Sequence, residues 1–314
     1  MQTIRIGNSS LTASRLAYGC WRVAGSKDSA DVTPEREAAG RRAIIAAFEA
    51  GYTLFDHADI YCDGVGEKIF AQALKEAPAM KDRVLIASKC GIRKKGSPKA
   101  DSPYRYDFSA DYIVRCCEDS LKRLGVGTID IYQLHRPDYL CQPAEVAAAF
   151  SQLKQQGKAR EFGVSNFRPS QVAMLRKACP MPLLVNQVQI SLAHLEAFED
   201  GTLDQCLAEK ITPMAWSPLH AGQLADIMPI DLRAEDHVLR LALRETLEHI
   251  ARERETSRMN VALAWLLKHP SGIMPIVGST KPERIKEAAK APALELTREE
   301  WYQLLEAAKG TRLP

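Results

Sequence analysis

The feature that most constrains this chain is an alternation repeated eight times, in which a short apolar or β-branched run is followed by a turn residue and then an amphipathic helical stretch. The runs are "SRLAYG" (14–19), "YTLFD" (52–56), "RVLIASK" (83–89), "IDIYQLH" (129–135), "REFGVS" (160–165), "LLVNQVQ" (183–189), "TPMAWS" (212–217) and "IMPIVG" (273–278). Strands of this length separated by helical periodicity are the pattern of a parallel sheet. Eight such units predict an α/β fold, a closed (β/α)8 TIM barrel forming one domain over residues 1–314. A short polar hairpin, "TIRIG" and "SSLTA" around Asn8, is expected ahead of it.

The helices carry their own punctuation. Thr33 and Pro34 give an N-cap and a first-turn proline, and Gly51 closes that helix. Ser109 caps a helix running to Leu124, ended by Gly125; Gln156 is followed by Gly157; and Thr297 with Glu300 has capping-box spacing. The run "RKK" (93–95) reads as a solvated loop face. A doubly wound open sheet is the competing architecture, but no G-x-G-x-x-G follows a strand. The nearest approach, "GVGTID" (125–130), leads into a strand instead of out of one.

Length alone would allow two domains, yet α/β barrels reach 314 residues as one. The net charge of +3, from 42 basic and 39 acidic residues, gives no footprint for nucleic acid or an anionic membrane. No apolar run is long enough to span a bilayer, and "MQTIRIGNSS" lacks a signal-peptide core, so a soluble, cytoplasmic protein is expected. The eight cysteines form no C-x-x-C pair and no zinc spacing, which predicts reduced thiols and no metal. No feature of the sequence assigns an oligomeric state.

In a barrel the chemistry sits where strands end. Asp56, Lys89 and His135 end the second, third and fourth runs, and Tyr61 lies on the loop after Asp56. Singly these read as a turn cap, a loop lysine, a satisfied histidine and an interfacial aromatic. Together they make a proton-donor assembly. A tyrosine titrates near pH ~10 and needs a neighbour that stabilises its phenolate. A lysine ammonium does so, and an adjacent carboxylate keeps that lysine charged and in place. A neutral imidazole at His135 could then orient a carbonyl oxygen toward Tyr61.

"FDHADIY", "ASKCGIR", "YQLHRPD", "GVSNF", "NQVQ", "AWSPL" and "PIVGSTKPERI" follow, in order and spacing, the motifs of the aldo-keto reductases. The resemblance runs from "SRLAYGCWR" to the final helix and is most like the bacterial YdhF-type branch. It implies an oxidoreductase that reduces a small-molecule carbonyl with NADPH, with NADH as the alternative cofactor, and a catalytic tetrad of Asp56, Tyr61, Lys89 and His135. It further implies that Ser165, Asn166 and Gln187 hold the nicotinamide carboxamide while Trp216 stacks on the ring. Ser217, Leu219, Gly222 and Leu224 would line the pyrophosphate, and Ser279, Thr280, Lys281 and Arg284 would surround the adenosine 2′-phosphate. The sequence departs from the family at His57, Trp216, Gly278 and Ala288, where a small hydroxyl residue, Tyr, Lys and Asn are common. Preference for NADPH therefore rests on Lys281 and Arg284.

Trp21, Tyr104 and Tyr106 are candidate walls of a broad substrate pocket, with "RPDYLCQP" after His135 as a further border. Cys20, Cys62 and Cys90 fall near strand ends, either as oxidation-sensitive thiols or, more cheaply, as buried inert ones. Two other functions compete. His57 and Asp59 form an H-x-D pair of the kind found in metal-dependent hydrolase barrels, but no second histidine cluster accompanies it. Alternatively, the chain could be a nicotinamide-binding regulatory subunit with little turnover.

Overall fold

The computed structural model describes residues 1–225 and 237–313. Its strands, in chain order, are β1 (Thr3–Arg5), β2 (Thr12–Ser14), β3 (Ala17–Gly19), β4 (Leu54–Asp56), β5 (Leu85–Cys90), β6 (Ile92–Arg93), β7 (Arg105–Tyr106), β8 (Ile129–Leu134), β9 (Ala159–Ser165), β10 (Leu183–Gln189), β11 (Thr212–Trp216) and β12 (Met274–Val277). Eight of them close into a parallel barrel in the order β3-β4-β5-β8-β9-β10-β11-β12, with β12 pairing back onto β3. All eight runs expected from sequence supply one barrel strand each. The hairpin also forms, with Ile4 opposite Ala13.

Period-two alternation explains what the barrel holds. Leu54, Ala87, Ile131, Val185 and Met214 form one apolar layer inside it. Two residues further along the same strands stand Asp56, Lys89, Gln133, Gln187 and Trp216. The interior thus changes from aliphatic to ionisable within one pleat, at the C-terminal ends of the strands. At the opposite end the hairpin acts as a plug. Ile6, Leu11 and Ala13 join the same apolar cluster, the Gly7 N–H donates to Thr212 Oγ1 at 2.8 Å, and Ser14 exchanges hydrogen bonds with Thr53. Outward-facing Phe55, Ile86, Tyr132 and Phe162 pack under the surrounding helices. Gly163 is required by close approach, since a Cβ there would lie 2.3 Å from Val185 Cγ2.

Capping follows the sequence with one exception. Thr33 accepts from the Arg36 N–H, and Thr297 and Glu300 form a reciprocal capping box. The helix Ala110–Leu124 starts after Ser109 and ends at left-handed Gly125, but the Ser109 hydroxyl donates instead to Asp107 Oδ1 at 2.7 Å. A carboxylate two residues away is the stronger acceptor. In the "RKK" run Lys94 and Lys95 are exposed as a solvated face requires, Lys94 also pairing with Asp63, while Arg93 is half-buried and pairs with Asp107 at 2.6 Å.

Candidate active site

The centre of the barrel mouth is a buried ion pair. Lys89 has no exposed surface, and its Nζ donates to both Asp56 oxygens at 2.8 and 2.9 Å and to the His57 carbonyl at 2.6 Å. Its remaining contact is the Tyr61 phenol oxygen at 3.2 Å. Burial pulls the lysine pKa down, but Asp56 and then Tyr61 outweigh it, so the ammonium is held above its ordinary range. Asp56 Oδ1 also accepts from Gln187 Nε2 at 2.8 Å, which ties β10 to the pair across the barrel.

Tyr61 is placed by an unusual turn. Cys62, Asp63 and Gly64 follow it with φ of 48°, 54° and 82°, three left-handed residues in succession. Arg123 closes this turn from below. A Cβ on Gly64 would lie 2.5 Å from Arg123 Cδ, and Arg123 Nε donates at 2.6 Å to the fully buried Glu67, which also accepts from Ser88 at 2.7 Å. From above, Asp63 accepts from Ser29 at 2.9 Å and pairs with Lys94, joining three loops of the rim. The Tyr61 phenol is pushed above its ordinary value by burial, against the lowering effect of Lys89. The simple expectation of a net acidified phenol is therefore corrected: the ammonium offsets only part of the cost of burying a phenolate.

His135 lies beside the phenol, its ring centroid 5.8 Å from that of Tyr61 at 79°. Burial first, then the charges of Lys89 and Arg136, hold its pKa well below the ordinary value, so the imidazole is neutral. Its carbonyl accepts from Asn166 Nδ2 at 3.1 Å. Asn166, in a left-handed conformation with φ 63°, also donates to Ser165 Oγ at 2.8 Å and accepts from Trp216 Nε1 at 3.0 Å. His57, by contrast, is buried against Phe70 at 4.6 Å, its pKa lowered to about 3 by burial and by Lys89.

One cleft of about 460 Å³ gathers most of the positions predicted from sequence. Asp56, Tyr61 and His135 line its floor, Trp21, Ser165, Asn166, Gln187 and Trp216 its walls, and Ser217, Leu219 and Gly222 its continuation outward. Its far end is formed by Ser279, Thr280, Lys281 and Arg284. Lys89 stands behind the floor. Besides Lys89, three predicted residues lie outside the lining. Leu224 is buried in the second apolar cluster, and Tyr104 and Tyr106 stack edge-on at 5.9 Å on the β6–β7 ribbon, Tyr104 being 54% exposed. Arg136, the first residue of the "RPDYLCQP" border, also lines the cleft, whereas Gly19, Arg22, Met259 and Val277 do so without a signal having been read from them. For Arg22 one existed, since it directly follows Trp21 in "WR".

The pattern that defines the Aldo/keto reductase family matches residues 15–309. The chain belongs to this family. As an aldo-keto reductase it is 38% identical to the 6-dehydroglucose reductase of Novosphingobium aromaticivorans, over 99% of this chain and 96% of that protein. It is 37% identical to the oxidoreductase YdhF of Escherichia coli over the full length of both. Among solved structures, the glycerol dehydrogenase AKR11B4 from Gluconobacter oxydans superimposes with a TM-score of 0.86 at 29% identity, covering 99% of this chain and 97% of that one. The protein is thus an NAD(P)H-dependent enzyme of the aldo-keto reductase type acting on small-molecule carbonyls.

Proposed function

We propose that this aldo-keto reductase uses NADPH to reduce aldehydes or ketones to alcohols, with Tyr61 as proton donor. The observation that carries the reading is the placement of Lys89 Nζ between the Asp56 carboxylate and the Tyr61 phenol, just behind the floor of a cleft that ends at Lys281 and Arg284.

The residues along the cleft suit a phosphorylated dinucleotide. Among the described residues, Lys281 and Arg284 have no carboxylate partner, leaving an ammonium and a guanidinium fork for the 2′-phosphate. Between them and the floor, the backbone is left-handed at Ser217, His220, Ala221 and Gly222, the kind of curvature that forms anion-binding concavities. Ser165, Asn166 and Gln187 present amide and hydroxyl groups beside Trp216, where a carboxamide and its ring would lie. Ala288 is fully buried and offers adenine no contact.

The bound cofactor supplies the hydride that adds to the carbonyl carbon. Tyr61 delivers its proton to the carbonyl oxygen, so that the product is a neutral alcohol. A phenol with a raised pKa stays protonated at neutral pH, and an alkoxide is still basic enough to take its proton. Lys89 then stabilises the phenolate left behind, and Asp56 keeps the lysine charged. Neutral His135 is a hydrogen-bond donor for the same oxygen, and the Asn166 contact to its carbonyl anchors the backbone that carries the ring.

The test is oxidation of NADPH, followed at 340 nm, with a panel of aldehydes, ketones and quinones. Steady consumption is expected, and Tyr61→Phe should lower kcat by roughly 10² to 10⁴ while leaving NADPH affinity in place. Tight NADPH binding without consumption by any carbonyl would favour a regulatory subunit instead.

A further inference from the structure

Among the described residues, four cationic side chains line the cleft, Arg22, Arg136, Lys281 and Arg284, and the proposed dinucleotide accounts for two of them. Lys281 and Arg284 stand at its far end, whereas Arg136 stands at the reacting end, immediately after His135. Arg136 is half-buried, and its guanidinium lies over the Trp216 indole at 5.7 Å from the ring centroid. Stacking uses the face of the guanidinium and leaves its in-plane N–H donors free. Among the described residues none of those donors has a hydrogen-bond or ion-pair partner. Among the described residues, the only carboxylate lining the cleft, Asp56, is already paired with Lys89 and Gln187.

A half-buried guanidinium at the reacting end of the cleft, with no acceptor supplied by the described residues around it, is open to an anion that enters the cleft. We infer that Arg136 is a specificity-determining residue that binds a carboxylate on the substrate, a few bonds from the carbonyl held by Tyr61 and His135. The substrate class is then an oxo-acid anion: an aldehyde or ketone carrying a carboxylate group. Such an anion would be gripped through two parallel N–H···O bonds and would complete the charge balance of the cleft floor. This inference rests on the carbonyl-reducing reading of the cleft.

The test compares succinic semialdehyde with butanal, two four-carbon aldehydes that differ in the terminal carboxylate. The expected kcat/KM ratio favours the anion by at least about ten-fold, within the range of a charge-assisted hydrogen bond. In Arg136→Met that ratio should collapse toward one, chiefly through KM, and Arg136→Lys should restore part of it, because the charge returns without the fork. Equal turnover of the two aldehydes by the unaltered protein, or an equal loss on both in Arg136→Met, overturns the inference. If neither aldehyde consumes NADPH, the reductase reading is judged on the wider carbonyl panel. Calorimetric titration of succinate into the NADP⁺-saturated protein then decides the matter separately. At least about ten-fold weaker binding to Arg136→Met upholds the anion site, and equal binding removes it.

Discussion

Lys89 and Asp56 form an ion pair that is sealed inside the barrel, with both carboxylate oxygens within 2.9 Å of the ammonium and almost no surface of either residue exposed. Breaking such a pair by removing one partner leaves an uncompensated buried charge. Asp56→Asn should therefore cost about 3 to 5 kcal/mol of stability, beyond any loss of activity. Urea denaturation measures this directly. A variant within about 1 kcal/mol of the parent would mean that the lysine finds another anion or loses its proton easily.

The pH dependence follows from three shifted groups. Tyr61 is held above its ordinary value by burial, Lys89 is held above its own by Asp56 despite burial, and His135 is held well below by burial. Protonated phenol, ammonium and neutral imidazole therefore coexist across neutrality. The kcat for reduction should be flat across neutrality and fall only on the alkaline side of the ordinary tyrosine range, as the phenol ionises. A limb titrating between about 6 and 9 would contradict this assignment of states. His135 also contributes to stability with a definite sign. Because its folded pKa is depressed, its contribution is intact above the unfolded value and is lost as pH falls below it.

Arg284 gives the sharpest check on the cofactor. A guanidinium on a phosphate contributes roughly 1.5 to 3 kcal/mol, so Arg284→Ala should raise KM for NADPH by about ten-fold or more. KM for NADH, which lacks the 2′-phosphate, should stay within about two-fold. Parallel initial-rate series with the two cofactors decide it, and equal effects on both would end the assignment.

Gly64 tests the support beneath Tyr61. An added methyl must adopt a left-handed φ of 82° and displace Arg123 from the buried Glu67 carboxylate. The two effects together predict a loss of about 2 to 4 kcal/mol for Gly64→Ala. Activity should fall as well, since the same turn sets the direction of the phenol. Thermal or urea unfolding close to the parent's would show that the turn relaxes without strain.

Much of this arrangement was legible in the chain because two rules act locally. Period-two alternation inside a strand puts Asp56 above Leu54 and Lys89 above Ala87, so the polar end of each run could be read as the mouth of the barrel. Motif order then linked loops far apart in sequence, such as Ser165 and Arg284. What escaped depended on side-chain reach across loops. Arg136 was legible only as the start of a pocket border, not in its contact with Trp216, 80 positions away, and Ser109 gives its hydroxyl to Asp107 in preference to its helix. Leu224 faces the core because its neighbours form an apolar cluster with the helices Glu196–Glu199 and His237–Glu253, a packing choice that a single loop motif does not encode. The net direction of the Tyr61 shift was equally hidden, because burial depth is a property of the assembled rim.

The hairpin that stoppers the far end of the barrel has a practical side. Its strands begin at Thr3, on the side of the molecule opposite the cleft, and its apolar residues are already committed to the interior. A tether attached ahead of Thr3 would leave the catalytic mouth turned toward the bulk solution, making that end the natural handle for immobilising the protein on a bead or an electrode.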